Sequence, residues 1–494
     1  MITVEKYGVF ELLVDGTEVT ASFAHDDVAG LIVSGFGVGT GKSAVRFMPT
    51  QEGIWHYRAG DISGEFLCIA NVGNNHGPVV ADGMHFRYAD GTDYFPVGTT
   101  LYAWVHQSPE LIEQTLATLN RAAFNKVRMC VFPKKFDFNF NEPVFYPFES
   151  GEDGRWDASK PNYPFWENLD TQIKALCDLG IEADLILFHP YDSWGFSDMS
   201  REESLIYIDY CVKRYSAYRN VWWSLANEYD LVSTKPIEDW YTFGEKIAAD
   251  DICKHLISVH NWTTVFPKTS WLTHCSLQGD VGRVAMLRKE YELPVIMDEF
   301  GYEGNIPFGW GNLTAFEEIN RAWRSVAFGG YATHGETYYN DEEVLWWAKG
   351  GRIYGESAER FAFLKAVLYE IGALDLVTVE SDMAILQNQG PPNPVHKHIA
   401  AVTARDTTGT MGRLFANSVG GNKNYRLIYL GRSCPCYQDI VLPENGSYNI
   451  EAIDIWEMTR TNINENVNGR IRLRLPGKEG IAVLIKRISG DSLN

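Results

Sequence analysis

Hydrophobic and polar positions alternate in short runs from the start of the chain to about residue 72. The run Phe10-Glu11-Leu12-Leu13-Val14 leads into a turn at Asp15-Gly16. Similar runs cover 19–23, 31–33, 44–48, 55–58 and 65–69, with turn signals such as Glu52-Gly53 and Ser63-Gly64 between them. A period of two between closely spaced turns predicts half-buried strands, and this many short ones predict a small β-sandwich over 1–72. The Gly, Asn and Pro-rich stretch Asn71 to Pro78 reads as a linker. A hairpin is expected next, with Phe86-Arg87-Tyr88 and Tyr94-Phe95 flanking a turn near Asp90-Gly91.

From about residue 95 short apolar runs alternate with amphipathic helical stretches. The runs are 96–103, 126–132, 182–188, 220–226, 255–260, 272–277, 294–299 and 330–338. Ser108-Pro109 offers an N-cap with proline at the first helical position. Ser200 with Glu203 forms a capping box ahead of Leu205 and Ile206. Gly180 stops the helix that precedes the third run. Strands that alternate with helices make a parallel sheet, and eight of them predict a closed (β/α)8 TIM barrel over 73–378. A Gly, Asn and Pro-rich loop at 387–394 marks the next boundary. Strand patterns return at 399–404, 412–417, 425–429, 438–442, 448–455 and 481–487. They predict a second β-sandwich over 379–494, so the expected architecture is a barrel flanked by two β-sandwich domains.

Charge narrows the partners. Of 494 residues, 64 are acidic and 43 basic, a formal charge of −21. Such a surface repels phosphate backbones and anionic lipid, so neither nucleic acid nor a membrane is an expected partner. No apolar run approaches the ~18 residues a membrane span needs. No secretory signal is visible at the N-terminus. The eight cysteines are scattered, without the spacing of a zinc site or a disulfide framework. Plain thiols point to a reducing compartment, and a cytoplasmic location is expected. Aromatic residues are 13% of the chain. That fits either a large aromatic core or stacking against sugar rings.

In a barrel, function gathers at the C-terminal ends of the strands. Strand four runs into Asn227-Glu228-Tyr229, and strand seven into Asp298-Glu299-Phe300. A carboxylate directly after an apolar strand is costly unless solvent or a partner meets it. Two of them, three βα units apart, face one another across one barrel mouth. Glycoside hydrolysis needs such a pair: one carboxyl gives a proton to the leaving oxygen, and the other stays ionised. Carboxyl groups roughly 5 Å apart would give a covalent intermediate and net retention.

Asn227-Glu228 with Glu299 resembles the signature of clan A glycoside hydrolases, the retaining (β/α)8 enzymes. The resemblance implies Glu228 as acid/base, Glu299 as nucleophile and Asn227 as ligand of the sugar 2-hydroxyl. It also implies that Arg128, on strand two, braces the nucleophile. The chain as a whole is similar to bacterial glycoside hydrolases with an N-terminal β-sandwich, an apiosidase-like or cellulase-like barrel and a C-terminal β-domain. Val45-Arg46-Phe47-Met48-Pro49, Glu52-Gly53, Trp55, Asn75-His76-Gly77-Pro78 and Phe95-Pro96-Val97-Gly98-Thr99-Thr100 carry that likeness. Further sugar contacts are expected from other strand ends: Trp104, His189, His260, Gln278, His334 and Glu336. Trp346-Trp347 reads as a sugar platform or as loop packing. No cofactor and no metal are expected, since the HxH pair His396-Lys397-His398 lies beyond the barrel. The expected activity is retaining hydrolysis of oligosaccharides or glycosides, exo-acting on β-linked sugars. A transglycosylase with the same site and a non-catalytic carbohydrate-binding protein are the alternatives. A homo-oligomer is compatible with the sequence.

Overall fold

The computed structural model describes residues 1–152, 154–377 and 418–493. The expected loop at 387–394, the strands 399–404 and 412–417, the boundary at 379 and the His396/His398 pair lie outside the described residues.

The N-terminal residues form a five-stranded and a three-stranded sheet. The first has the order Ile2–Glu5, Ile62–Ile69, Gly53–Ala59, Thr20–His25, Val28–Ser34, and the second Phe10–Asp15, Lys42–Phe47, Phe36–Gly39. Alternation explains their contact. Phe10 and Phe47 from one sheet meet Phe23, Trp55 and Phe66 from the other in one apolar cluster. Phe23 stacks on Phe47 at 4.1 Å, and Phe10 on Phe66 at 4.3 Å. Two strands, Ile2–Glu5 and Phe36–Gly39, were not expected. The expected turn at Asp90-Gly91 forms, with Arg87 bridging Asp93 and the Tyr88 N–H donating to the Thr92 carbonyl at 2.8 Å, and a second hairpin precedes it: Val79–Asp82 pairs with His85–Tyr88 around Gly83, whose φ of 60° suits the turn.

Eight parallel strands follow in ring order. In chain order they are Val97–Thr100, Lys126–Cys130, Glu182–Phe188, Val221–Ala226, Ile257–Ser258, Cys275–Gln278, Val295–Glu299 and Tyr331–His334. Strand eight pairs with strand one, and an isolated parallel bridge from His260 to Ser276 closes the ring between strands five and six. Strand four is buried at every position, as a strand with helices outside and packed side chains inside must be. The Ser200/Glu203 capping box and the Ser108 cap both form. A six-stranded sheet, including Tyr425–Tyr429, Gly446–Asp454 and Ile481–Gly490, builds the C-terminal domain with the pair Tyr437–Leu442 and Gly469–Arg474. The two sheets share a cluster that includes Ile440, Ile450, Leu473 and Val483.

Arg46 joins the N-terminal domain to the barrel. It leaves a strand whose Val45 and Phe47 fill the domain core, and so it must point the other way. Its guanidinium binds Asp170 at 2.6 Å, Glu11 at 2.7 Å and the Arg214 carbonyl at 3.0 Å. Arg214 holds the same Asp170 through two bonds of 2.8 Å. One carboxylate thus serves two buried guanidinium groups. Removing one partner of a buried ionic set costs about 3–5 kcal/mol, because the others stay buried and unpaired. Asp170→Ala is therefore expected to lower denaturant stability by about that amount, and Arg46→Met by clearly less. Unfolding followed by tryptophan fluorescence measures both.

Candidate active site

Strand seven carries an irregularity that makes the site. Its Met297 faces Leu277 of strand six, but the next partner of strand six, Gln278, faces Glu299. Asp298 is thus the extra residue of a bulge. In a regular strand neighbouring side chains point to opposite faces, and a bulge re-aims them. Asp298 turns into the barrel, where it takes bonds from Lys126 at 2.8 Å, Thr333 at 2.7 Å and Ser276 at 2.6 Å. Glu299 turns upward into the barrel mouth.

Arg128, fully buried on strand two, ties the mouth together. Nη1 donates to Glu299 Oε1 at 3.0 Å and Nη2 to Asn227 Oδ1 at 2.9 Å, while Nε lies 3.9 Å from Asp298. A guanidinium only donates, so it fixes the Asn227 amide with its oxygen inward. The Asn227 NH2 is left to the cavity. The Tyr102 hydroxyl donates to Glu299 Oε1 and lies 3.1 Å from Asn227 Oδ1. On the opposite rim the Tyr191 hydroxyl donates to Glu228 Oε2. Glu228 itself sits in left-handed backbone, φ 51° and ψ 55°. A non-glycine residue holds that conformation only where its surroundings impose it.

His260, at the end of strand five, lies between the two glutamates. Its Nδ1 accepts the Glu228 backbone N–H at 3.3 Å, which leaves the proton on Nε2. Nε2 points at Glu299 Oε1, 3.6 Å away. Burial and the Arg128 charge drive the His260 imidazole down to about 3, so it stays neutral.

The two carboxyls receive opposite treatment. Burial works to raise Glu299, but His260, Arg128 and the Tyr102 hydroxyl outweigh it and hold the group below the usual carboxylate range. Glu228 has no guanidinium beside it. Burial and the Glu299 charge push it up to about 7, against the pull of Tyr191 and Lys134.

Both glutamates, with Asn227 and Gln278, line a cavity of about 590 Å³. Aromatic walls come from Tyr102, Phe136, Tyr191, Trp262, Trp310 and Trp347. A second cavity of about 480 Å³, lined by Phe138, Phe140, Phe308 and Tyr339, lies alongside. Phe308, on its wall, stacks parallel to Trp310 on the wall of the first.

Five expected sugar contacts lie elsewhere, each for a physical reason. Trp104 is buried in a short helical turn after strand one. His189 is neutral and buried, and its Nε2 faces the Phe132 carbonyl at 3.2 Å. His334 bonds Thr99 at 3.0 Å and stacks on Phe124. Glu336 accepts the Tyr354 and Gly355 backbone N–H groups, both at 2.7 Å, and so pins a loop. Trp346 donates to Thr99 inside the barrel, while its neighbour Trp347 reaches the cavity. Tyr102 and Tyr191 stand beside Trp104 and His189 in strand-end stretches that read equally as core, and Lys134 lies four residues beyond the strand that carries Arg128, so the sequence alone does not single them out. Among the described residues, no group of three or more His, Cys, Asp or Glu is placed to hold a metal ion. None of their helices is long and apolar enough to cross a membrane.

Comparison with known proteins agrees with this geometry. Residues 81–371 match the family described as apiosidase-like, catalytic domain, and 415–486 match a domain of unknown function, DUF5605. No curated protein matches the chain. A crystal structure from Bacteroides vulgatus ATCC 8482, of a protein provisionally assigned as a glycoside hydrolase, is 33% identical. The match covers 99% of this chain and 100% of that one, with a TM-score of 0.85. A glycoside hydrolase family 5 structure from the same organism shares the fold at 16% identity, covering 84% and 94% of the two chains with a TM-score of 0.61. The family match spans more than half of the chain and contains both strand-end glutamates, and the chain belongs to the apiosidase-like glycoside hydrolases.

Proposed function

We propose that the protein is a retaining glycoside hydrolase, with Glu299 as nucleophile and Glu228 as acid/base. One observation carries this reading. Two carboxyls at facing strand ends share a cavity, one held ionised by Arg128 and the other raised to about 7. Glycosidases divide nucleophile from proton donor by such a split.

The residues suggest how each step runs. A sugar on the aromatic floor would present its 2-hydroxyl to the Asn227 NH2. Glu299 attacks the anomeric carbon while protonated Glu228 gives its proton to the departing oxygen. Once Glu299 is esterified its charge no longer raises Glu228, which ionises more readily and as a base takes a proton from water. Water attacks, the glycosyl bond to Glu299 breaks, and the anomeric configuration of the substrate returns. We read the substrate as β-linked and the attack as exo, since the catalytic cavity is a pocket walled by loops. The neighbouring aromatic cavity has the character of a place for sugars on the leaving-group side. A transglycosylase would use the same residues. We also read the two strand-rich domains as β-sandwiches, since in each two sheets share one apolar cluster.

Glu299→Ala should abolish hydrolysis of a nitrophenyl glycoside that the native protein cleaves, with melting unchanged within a few degrees. Azide should restore turnover in part and yield a glycosyl azide of inverted configuration, read by NMR. Full activity without azide overturns the assignment.

Glu228→Ala should spare substrates with good leaving groups. Dinitrophenyl glycosides are expected to lose little in the first step, while alkyl glycosides lose about 10²–10⁴-fold, the usual worth of general acid catalysis. Equal losses on both types count against Glu228 as the proton donor.

The pH profile of kcat/KM should be a bell. Its basic limb is expected near pH 7, where Glu228 loses its proton. Its acidic limb should lie below the usual carboxylate range, where Glu299 gains one. Arg128→Met removes the counter-charge of Glu299, so the acidic limb should move to higher pH. An unmoved acidic limb refutes the bracing role.

A further inference from the structure

Lys134 stands four residues beyond strand two, in the turn Phe132-Pro133-Lys134-Lys135. It is only 4% exposed, although a lysine rarely gives up water without a carboxylate partner. Its ammonium is enclosed by aromatic faces instead. Nζ lies 3.5 Å from the ring centre of Tyr102, 4.3 Å from Tyr191, 5.1 Å from Trp347 and 5.5 Å from Phe136. Ring faces attract a cation, more strongly where water is excluded. The next residue, Lys135, takes the ordinary course: it reaches toward solvent and lies 3.9 Å from Glu142.

The two nearest rings are not arbitrary. Tyr102 is the phenol that donates to Glu299, and Tyr191 is the phenol that donates to Glu228. One cation therefore sits over both of the tyrosines that hold the two carboxyls. The turn that carries it is fixed from outside the cavity. Lys135 N–H donates to the Tyr191 carbonyl at 2.8 Å, and Asn139 donates to the Lys134 carbonyl. His189, expected to bind sugar, faces the Phe132 carbonyl in the same turn.

We propose that Lys134 is the positioning residue of this site, its caged ammonium clamping Tyr102 and Tyr191 together so that both glutamates keep their hydroxyl partners. The proposal rests on the reading of Glu228 and Glu299 as the reacting pair. The charged and titratable groups around the ammonium are Arg128 and Cys130 on strand two, Tyr102 after strand one, Tyr191 after strand three, Glu228 after strand four and Glu299 on strand seven. Burial and Arg128 disfavour the charge on Lys134, while the ring faces, Cys130 and the two glutamates favour it. The same charge pulls both carboxyls down.

A residue present for stability and one present for function give opposite results on replacement. Methionine fills a similar volume and has no charge to desolvate. Among the described residues no carboxylate is ion-paired or hydrogen-bonded to this ammonium, so its removal leaves no buried partner uncompensated and spares the desolvation of a charge. Lys134→Met should therefore leave the melting temperature equal or raised. Its carboxyl titrations should nevertheless move. With [δ-13C]glutamate-labelled protein, and with Glu228→Gln and Glu299→Gln to assign the signals, the Glu228 midpoint should rise by about one pH unit in Lys134→Met. Lys134→Arg should restore most of that shift, and Lys135→Met should cause none. This titration needs no substrate, so it judges Lys134 even if no glycoside is cleaved. Where the native protein does cleave a nitrophenyl glycoside, Lys134→Met should lose at least tenfold in kcat with its basic limb moved to higher pH. A lowered melting temperature with unmoved carboxyl midpoints overturns the proposal. So do unmoved midpoints at native stability.

Discussion

A carboxylate ion buried at a barrel mouth must be compensated, and the rest of the site follows from how Glu299 is. Arg128 supplies the counter-charge, but it is itself fully buried and must be met on its other edges. Nη2 finds Asn227 and Nε faces Asp298, which in turn holds Lys126. Lys126 then binds Asp184 at 2.9 Å. Positive and negative groups alternate from the cavity into the barrel. Each link fixes the register of another strand: seven, two, four and three. A register slip of one residue on strand two, three or seven would leave a charge unpaired in the interior, and one on strand four would leave an Arg128 N–H unmet. The polar column therefore specifies the barrel as well as the site.

The bulge at Asp298 makes this column possible. Consecutive acidic residues on a regular strand would face opposite sides, and one would enter the apolar layer between barrel and helices. With the extra residue, Asp298 serves the column and Glu299 the cavity. The left-handed backbone of Glu228 has a comparable effect on strand four. Asn227 keeps its side chain on Arg128, while Glu228 is turned toward Tyr191. Both glutamates are thus aimed by local departures from ideal strand geometry.

The barrel was legible because its strands are buried on both faces. Runs such as Glu182–Phe188 stand out from amphipathic helices, and that strand falls where its apolar pattern put it. The strand Thr459–Val467 was not legible, because an edge strand with mostly exposed side chains lacks the alternation that betrays a buried face. At the site, Glu228, Glu299, Asn227 and Arg128 were visible as polar residues in apolar strands. The aromatic partners were not. Tyr102 and Tyr191 look like core residues in sequence, and only the fold brings their hydroxyls to the two carboxyls. Trp346 and Trp347 are adjacent and chemically identical. Their opposite fates are set by one short helix, Trp346–Lys349, that turns one ring inward to Thr99 and the other to the cavity.

Other buried carboxylates stand near the same mouth, and their bonding separates them from Glu228 and Glu299. Glu303 takes the Glu356 and Ser357 backbone N–H groups, both at 2.9 Å. Glu318 takes those of Glu303 and Gly335, both at 3.0 Å, and Glu336 those of Tyr354 and Gly355. Each spends both oxygens on main-chain donors or on hydroxyls of the same loops, which anchors the chain over strands seven and eight and starts the helix Ser357–Ile371. A carboxylate used in this way is a loop clasp, and moving it would release backbone. Glu228 and Glu299 take their side-chain bonds from tyrosine hydroxyls and a guanidinium instead. Those donors can follow a change of charge without unfolding a loop. Of these five carboxylates, Glu303, Glu318 and Glu336 each hold main-chain N–H groups, while the bonds to the strand-four and strand-seven glutamates come from side chains, so a change of charge there releases no loop.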